Sequence, residues 1–184
     1  MPLWILWAAL VGGVAFQIWY TIAWIVLPHH HGDFKSVGKD APLVAALGAA
    51  ALRPGLYMIP HYGDFAGGFK DPELTKRSKE GPCAWFVSMK PGCEMGPMLF
   101  VSAYLLNALE VLVLALLVYW VGTENLPCLG CVIGFSAMIG LLARVGALGS
   151  QSLWMKLPWR YTLTNIFDGV VAFSLAGIIV HVLR

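Results

Sequence analysis

The chain has 184 residues, of which 59% are hydrophobic and only 12% are charged, and its formal net charge is +2. Since an ordinary soluble domain carries about 25% charged residues, this composition excludes a soluble globular protein and indicates a membrane protein. The sequence contains no nucleotide-binding loop, no nucleophile triad and no basic patch that would bind nucleic acid.

Four apolar stretches are long enough to cross a bilayer, which requires about 20 residues. They cover residues 3–27, 97–121, 127–147 and 162–183. The first begins MPLWILWAAL, which lacks the basic start and the cleavage site of a signal peptide, so we expect it to remain as a span. The sequence therefore predicts an all-α, polytopic membrane protein, with residues 1–184 forming a single domain of four transmembrane helices.

A histidine-rich segment follows the first span and has a partial copy further along the chain. LPHHHGDF at residues 27–34 returns as IPHYGDF at residues 59–65. If the loop folds back over the end of the first span, the two segments offer a mixed set of metal ligands: His29, His31, Asp33, His61 and Asp64. Histidine together with carboxylate suits zinc, iron or copper. The alternative is a pair of turns, in which Gly32 and Gly63 bend the chain and each Asp caps local backbone.

Both segments belong to a long polar loop, residues 28–96, between the first and second spans. Inside this loop we predict one short apolar helix over residues 41–53, with Asp40 as its N-cap and Pro42 in its first turn. A helix of about 13 residues is too short to cross the bilayer. We therefore expect it to lie in the membrane interface or against the bundle.

The middle of the second span contains an ionisable residue, Glu110, and Asn107 lies one turn before it on the same helix face. Gln17 of the first span reaches about the same depth. Because polar groups at this depth face a bundle interior or a water-filled cavity, we expect Gln17, Asn107 and Glu110 to form one buried polar layer. Glu110 either hydrogen-bonds neighbouring helices as a protonated acid, or serves proton transfer or a ligand such as a quinone or lipid.

Four cysteines flank the second span. Cys83 and Cys93 precede it, and CLGC places Cys128 and Cys131 at the start of the third span, a pattern that resembles vitamin K epoxide reductase-like thiol oxidoreductases. That resemblance implies an electron relay from the loop pair to the CxxC pair near a quinone. Here a complete span separates the pairs by about 30 Å, which prevents direct exchange. Cys128 and Cys131 are a redox pair activated by the helix dipole, a structural disulfide, or two packing residues.

Charges near the last two spans predict the orientation and one interhelical contact. The loop between these spans carries Lys156 and Arg160, whereas the loop between the second and third spans has no basic residue. Since cytoplasmic loops are enriched in Lys and Arg, we expect the long loop to be cytoplasmic and both termini to be periplasmic. Arg144 and Asp168 reach a similar shallow depth, so we predict a buried ion pair between them that sets the helix register.

Several short motifs resemble an uncharacterised family of small bacterial four-helix inner-membrane proteins. They are WIVLPHHHGDF, DAPLVAALGAAALRPGLYMIP, GPMLFVS and TLTNIFDGVVAFSLAG, the last with its Asn and Asp pair. This chain differs from the family in having His29 at a Trp position and an enlarged insertion over residues 61–93. The resemblance implies a bacterial inner-membrane protein and assigns no catalytic residue. An insertion of this kind is typical of a member that binds a partner.

Three functions are compatible with these patterns. We favour a non-catalytic accessory or assembly subunit of a larger bacterial membrane complex, of the respiratory or photosynthetic type, with other membrane subunits or a second copy as partners. The first alternative is a membrane oxidoreductase that depends on a metal at the histidine cluster, or on a quinone or the CxxC pair. The second alternative is a small proton-coupled transporter that acts as an oligomer, because four helices make a thin wall around a pore.

Overall fold

The structure is a computed structural model that describes residues 2–38, 42–63, 70–92 and 96–184. Within these residues, four helices are long and apolar enough to cross a membrane: Leu3–Val26, Pro97–Val121, Leu129–Trp154 and Trp159–Leu183. The predicted all-α, polytopic fold is confirmed. The chain is a multi-pass membrane protein.

The elements follow the chain in a simple order. They are α1 (Leu3–Thr21), a π-helical turn (Ile22–Val26), a 3₁₀ turn (Pro28–His30), α2 (Pro42–Ala49), β1 (Gly55–Ile59), α3 (Pro72–Glu80), β2 (Ala84–Ser88), α4 (Pro97–Val121), α5 (Leu129–Arg144), a second π-helical turn (Val145–Gly149), α6 (Ser150–Trp154) and α7 (Trp159–Leu183). The third span is longer than predicted, because the π-helical turn carries the helix past two glycines into α6.

The chain divides into two compact units, Met1–Lys35 with Met95–Arg184, and Ser36–Glu94. In the first unit, α1 packs against α4 and α7, and α7 packs against α5, whereas α4 and α5 touch at few points. Glycine permits one of the close approaches, since a Cβ built on Gly13 of α1 would lie only 2.9 Å from the Ala108 Cβ on α4. The helices surround a core of fully buried side chains that includes Ile5, Phe16, Val111, Leu114 and Val180.

The second unit contains structure that the sequence did not predict. β1 and β2 pair antiparallel, from Gly55 opposite Ser88 to Ile59 opposite Ala84. Helix α3 lies between them in the chain, and the Asp71 side chain caps it by accepting from the Glu73 backbone N–H at 2.9 Å. The predicted short helix is observed as α2, and its expected cap, Asp40, lies outside the described residues.

Candidate metal centre

The end of the first span turns back onto α7 and so positions two histidines. Pro28 begins a 3₁₀ turn that contains His29 and His30, where its missing N–H is not needed. The Arg160 side chain at the start of α7 holds this turn in place. Its Nη2 group donates to the backbone oxygen of His29 at 2.8 Å and to that of His31 at 3.1 Å. Trp24 stacks on the His30 ring, with the two ring centres 3.9 Å apart.

Both histidines meet one carboxylate, that of Asp168 on α7. The His29 Nε2 atom lies 3.0 and 3.2 Å from the two Asp168 oxygens, and the His30 Nε2 atom lies 2.6 Å from Oδ2. Asp168 is fully buried, and His30 is 5% exposed. One ligand atom from each of the three residues lies within 4.8 Å of the others.

A second carboxylate contacts the other nitrogen of His30. Asp33 Oδ2 lies 2.7 Å from His30 Nδ1, and Asp33 Oδ1 accepts from Arg160 NH1 at 3.0 Å. Metal-binding histidines commonly donate their second N–H to a carboxylate, which fixes the tautomer and the ring orientation. His30 has this arrangement, with Nδ1 held by Asp33 and Nε2 directed at Asp168.

The cluster holds two carboxylates, Asp33 and Asp168, and one arginine, Arg160. Arg160 is paired with Asp33, whereas in the described part of the chain the ionisable partners of buried Asp168 are the two histidines. An ionised carboxylate only accepts hydrogen bonds, so a proton or a metal ion has to lie between His30 and each carboxylate. A metal ion between Asp168 and the two Nε2 atoms satisfies the same groups with neutral histidines. Either species neutralises a carboxylate that is costly to bury alone.

The spacing of the donors is close to what an ion needs. Two ligands bound at about 2.1 Å to one tetrahedral zinc ion lie about 3.4 Å apart. The contacts of His29 with Asp168, at 3.0 and 3.2 Å, approach this spacing, whereas the 2.6 Å contact of His30 with Asp168 has to lengthen when an ion binds. Two imidazoles and one carboxylate leave at least one coordination position open, the pattern of catalytic zinc sites and of non-haem iron sites. Of the three side chains, that of His29 is the most exposed, at 25%.

Of the predicted ligands within the described residues, the structure places His29 in the cluster, and it adds His30 and Asp168, which were not predicted there. His31 is exposed, and Asp33 contacts the other nitrogen of His30. His61 belongs to the second unit, where its Nδ1 accepts from the Gly63 N–H at 3.0 Å. Asp64 lies outside the described residues.

His30 and Asp168 are the two members of the cluster that were not predicted. In the 3₁₀ turn the ring centres of His29 and His30 lie 4.5 Å apart. The bends predicted at Gly32 and Gly63 are found, with φ values of 91° and 62°. Such left-handed backbone favours glycine. Asp33, however, contacts the side chains of His30 and Arg160 instead of capping local backbone. The turn at Gly32 and the histidine cluster are therefore parts of one arrangement.

The intramembrane polar residues pair differently from the prediction. Asn107 Nδ2 donates to Gln17 Oε1 at 2.9 Å, which confirms that part of the polar layer. Glu110 instead accepts from Arg144 NH2 at 3.1 Å, and the same NH2 donates to the Tyr20 hydroxyl at 2.8 Å.

The prediction of an ion pair between Arg144 and Asp168 is wrong, because the carboxylate oxygens of Asp168 contact His29 and His30. Gly169 explains where the arginine goes instead, since any Cβ at this position would collide with the Arg144 side chain. The side chain passes over the glycine and reaches the groups on α1 and α4. The lack of a side chain at Gly169 thus allows Arg144 to reach Glu110.

Cys128 and Cys131 form a disulfide, with their Cα atoms 5.1 Å apart. Cys128 is the N-cap of α5, and its sulfur accepts from the Cys131 backbone N–H at 3.1 Å. Cys83 is free and exposed, while Cys93 lies outside the described residues. Of the alternatives for the CxxC pair, a disulfide is the one present, either as a structural bond or as the oxidised form of a redox pair.

Comparison of this chain with protein-family models, with curated proteins and with solved structures finds no match. The resemblances noted in the sequence therefore stay expectations. Any function has to be argued from the chemistry of the described residues.

Proposed function

We propose that this chain is an integral membrane metalloprotein that binds one divalent first-row transition-metal ion through His29, His30 and Asp168. The observation that supports this most directly is the convergence of two imidazole nitrogens on a fully buried carboxylate. Asp33 adds to the argument, because it orients His30 as the outer partner of a metal ligand does.

The donor set favours zinc or iron over magnesium or calcium, because imidazole nitrogens suit the former and all-oxygen sites the latter. With an open position, such an ion supplies Lewis-acid activation or, for iron and copper, one-electron chemistry. The chain's own part is to hold His30 by Asp33 and Trp24, to keep Asp168 away from water, and to leave the His29 side chain partly exposed.

The test is metal analysis of untagged protein purified in mild detergent and incubated with zinc, iron(II) or copper. We expect about one ion per chain for one of these metals. A His29→Ala, His30→Ala double variant should lose it. His31→Ala is the matched control, since His31 belongs to the same segment but is exposed. A wild-type protein that stays metal-free with all three ions would refute the proposal.

We further propose a bacterial inner membrane as the location, with the metal centre on the cytoplasmic side. Support comes from Lys156 and from Arg160, which lies at the same end of the bundle as the cluster. The exposed thiol of Cys83 in the long loop reports this orientation. In a Cys93→Ser variant, a membrane-impermeant thiol reagent should label Cys83 only after spheroplasts are opened. Labelling of intact spheroplasts would reverse the orientation.

A second candidate function is an accessory or assembly subunit of a larger bacterial membrane complex, of the respiratory or photosynthetic type. One face of the hairpin in the second unit favours it, because Leu56 and Val87 lie opposite each other and are 60% and 61% exposed. Met58 and Trp85 continue this apolar face. Contiguous exposed apolar surface marks interaction sites.

The test of this second role is a Leu56→Glu, Val87→Lys variant. It should lose co-purifying membrane subunits and keep its metal content. If the same subunits still co-purify with the variant, the hairpin face does not bind them. A matched control is Lys79→Glu on α3, an exposed position outside the two strands.

A further inference from the structure

The pair of Glu110 and Arg144 lies near the middle of the membrane and bridges two helices that otherwise hardly touch. Glu110 is about 20 Å from the start of α4 and about 17 Å from its end, at 1.5 Å per residue. Arg144 extends from the third span across the gap between α4 and α5. Neither residue contributes to the metal centre.

This ion pair is incompletely covered by its own chain. The side chains of Arg144 and Glu110 are 29% and 28% exposed. The three hydrogen bonds of the guanidinium, one to the Tyr20 hydroxyl and two to the Glu110 carboxylate, all use its Nη2 group. Within the described residues, the Nε and Nη1 groups of Arg144 donate to no acceptor. Charged groups at this depth normally face protein or water, since exposure to lipid is costly.

The surroundings of the pair are apolar and exposed. On α4, Leu106 and Val113 lie one turn before and one turn after Glu110 and are 58% and 49% exposed. On the third span, Leu141 precedes Arg144 by three residues and is 37% exposed. We call these five residues, Leu106, Glu110, Val113, Leu141 and Arg144, the ion-pair face. It is an apolar surface with one cation and one anion side by side.

We propose that the ion-pair face is the interface of a homodimer in the membrane. A surface with one positive and one negative group is self-complementary about a two-fold axis, because each residue of one copy meets its opposite on the other. Glu110 of each copy then accepts from the free guanidinium nitrogens of the second copy. The apolar residues around the pair cover it from lipid. This proposal stands apart from the metal centre.

Charge reversal distinguishes this dimer from an ion pair that acts only within one chain. Glu110→Arg gives a face with two cations, and Arg144→Glu gives a face with two anions. Each variant alone should lose the dimer at least tenfold in lipid nanodiscs, measured as the dimer fraction by native mass spectrometry. Co-expressed with different tags, the two variants should form a heterodimer, because every cation then meets an anion across the interface.

The control for charge alone is Arg77→Glu on α3. Arg77 also forms an ion pair, with Glu73 in the second unit, but both side chains are mostly exposed. This variant should keep the dimer. Metal content and helical circular dichroism report whether each variant is folded. Folded variants that do not pair with each other overturn the proposal.

Cross-linking of the otherwise unchanged face keeps the proposal testable if the charge variants do not fold. In a Cys83→Ser, Cys93→Ser background, Leu106→Cys should cross-link to the same residue of a second copy in native membranes. Leu163→Cys, an exposed position of α7, should not. Wild-type protein that is monomeric in bilayers would overturn the proposal. Cross-links at Leu163 without any at Leu106 would do so too, as would a lipid or another polypeptide on this face.

Discussion

Asp168→Asn is the sharpest perturbation of the metal centre, because it removes the charge and keeps the shape of the buried side chain. Asp168 accepts contacts from His29 and His30. An amide offers one oxygen acceptor, and its nitrogen is a donor. One of the two histidines is therefore left facing another donor, and the anionic ligand of the ion is lost.

The expected magnitude has a metal-free part and a metal-dependent part. A hydrogen bond to a charged group contributes about 1.5–3 kcal/mol, so without metal the variant should lose about this amount of unfolding free energy. A metal ion at 100 times its Kd adds about 2.7 kcal/mol to the wild type. For a chain of this size, that corresponds to a rise in Tm of about 5–10 °C, and the variant should show almost none of it.

The assay is thermal unfolding in detergent, with and without the metal that the purified protein retains. His31→Ala is the control, and it should keep the full metal-dependent rise in Tm. If Asp168→Asn shows the same metal-dependent rise as the wild type, then Asp168 is not a ligand. The metal site would then have to be sought elsewhere, even if the variant is less stable without metal.

Asp33→Asn should weaken metal binding by about 10–100-fold without changing the number of ions bound, because it loosens the orientation of His30. A competition titration with a metal-binding dye checks this prediction. An unchanged metal affinity would contradict it. Gly169→Ala should lower the unfolding free energy by about 1–3 kcal/mol, because the new Cβ collides with the Arg144 side chain. Gly134→Ala is its matched control, since a Cβ there meets no atom within 4 Å, and equal Tm values for the two variants would be evidence against the overpacking argument.

Much of the membrane architecture is predictable from the sequence. The four spans follow from the length of the apolar stretches, because only a helix satisfies its backbone over that length in lipid. The contact between Gln17 and Asn107 follows from counting 1.5 Å per residue from the helix ends. Both predictions rest on distance along a single helix axis, which local sequence specifies.

Contacts between side chains on different helices are not predictable in this way. The predicted depths placed Arg144 level with Asp168, but the third span continues to Trp154, so Arg144 lies near its middle and reaches Glu110. The choice of partner also depends on how each helix is rotated about its own axis. Gly169 leaves room for the Arg144 side chain, and the contacts of His29 and His30 with Asp168 leave Arg144 to pair with Glu110. β1 and β2 were missed for a related reason, since the helical segment between them separates the strands along the chain.

The sequence by itself determined that there are four spans, their order, and the common depth of Gln17 and Asn107. The tertiary structure alone decided that His29, His30 and Asp168 share one site. Composition and periodicity act along one segment at a time, whereas a site assembled from the end of α1 and the middle of α7 depends on how those segments pack. Packing follows from the shapes of all the contacting side chains together, and no short motif records it.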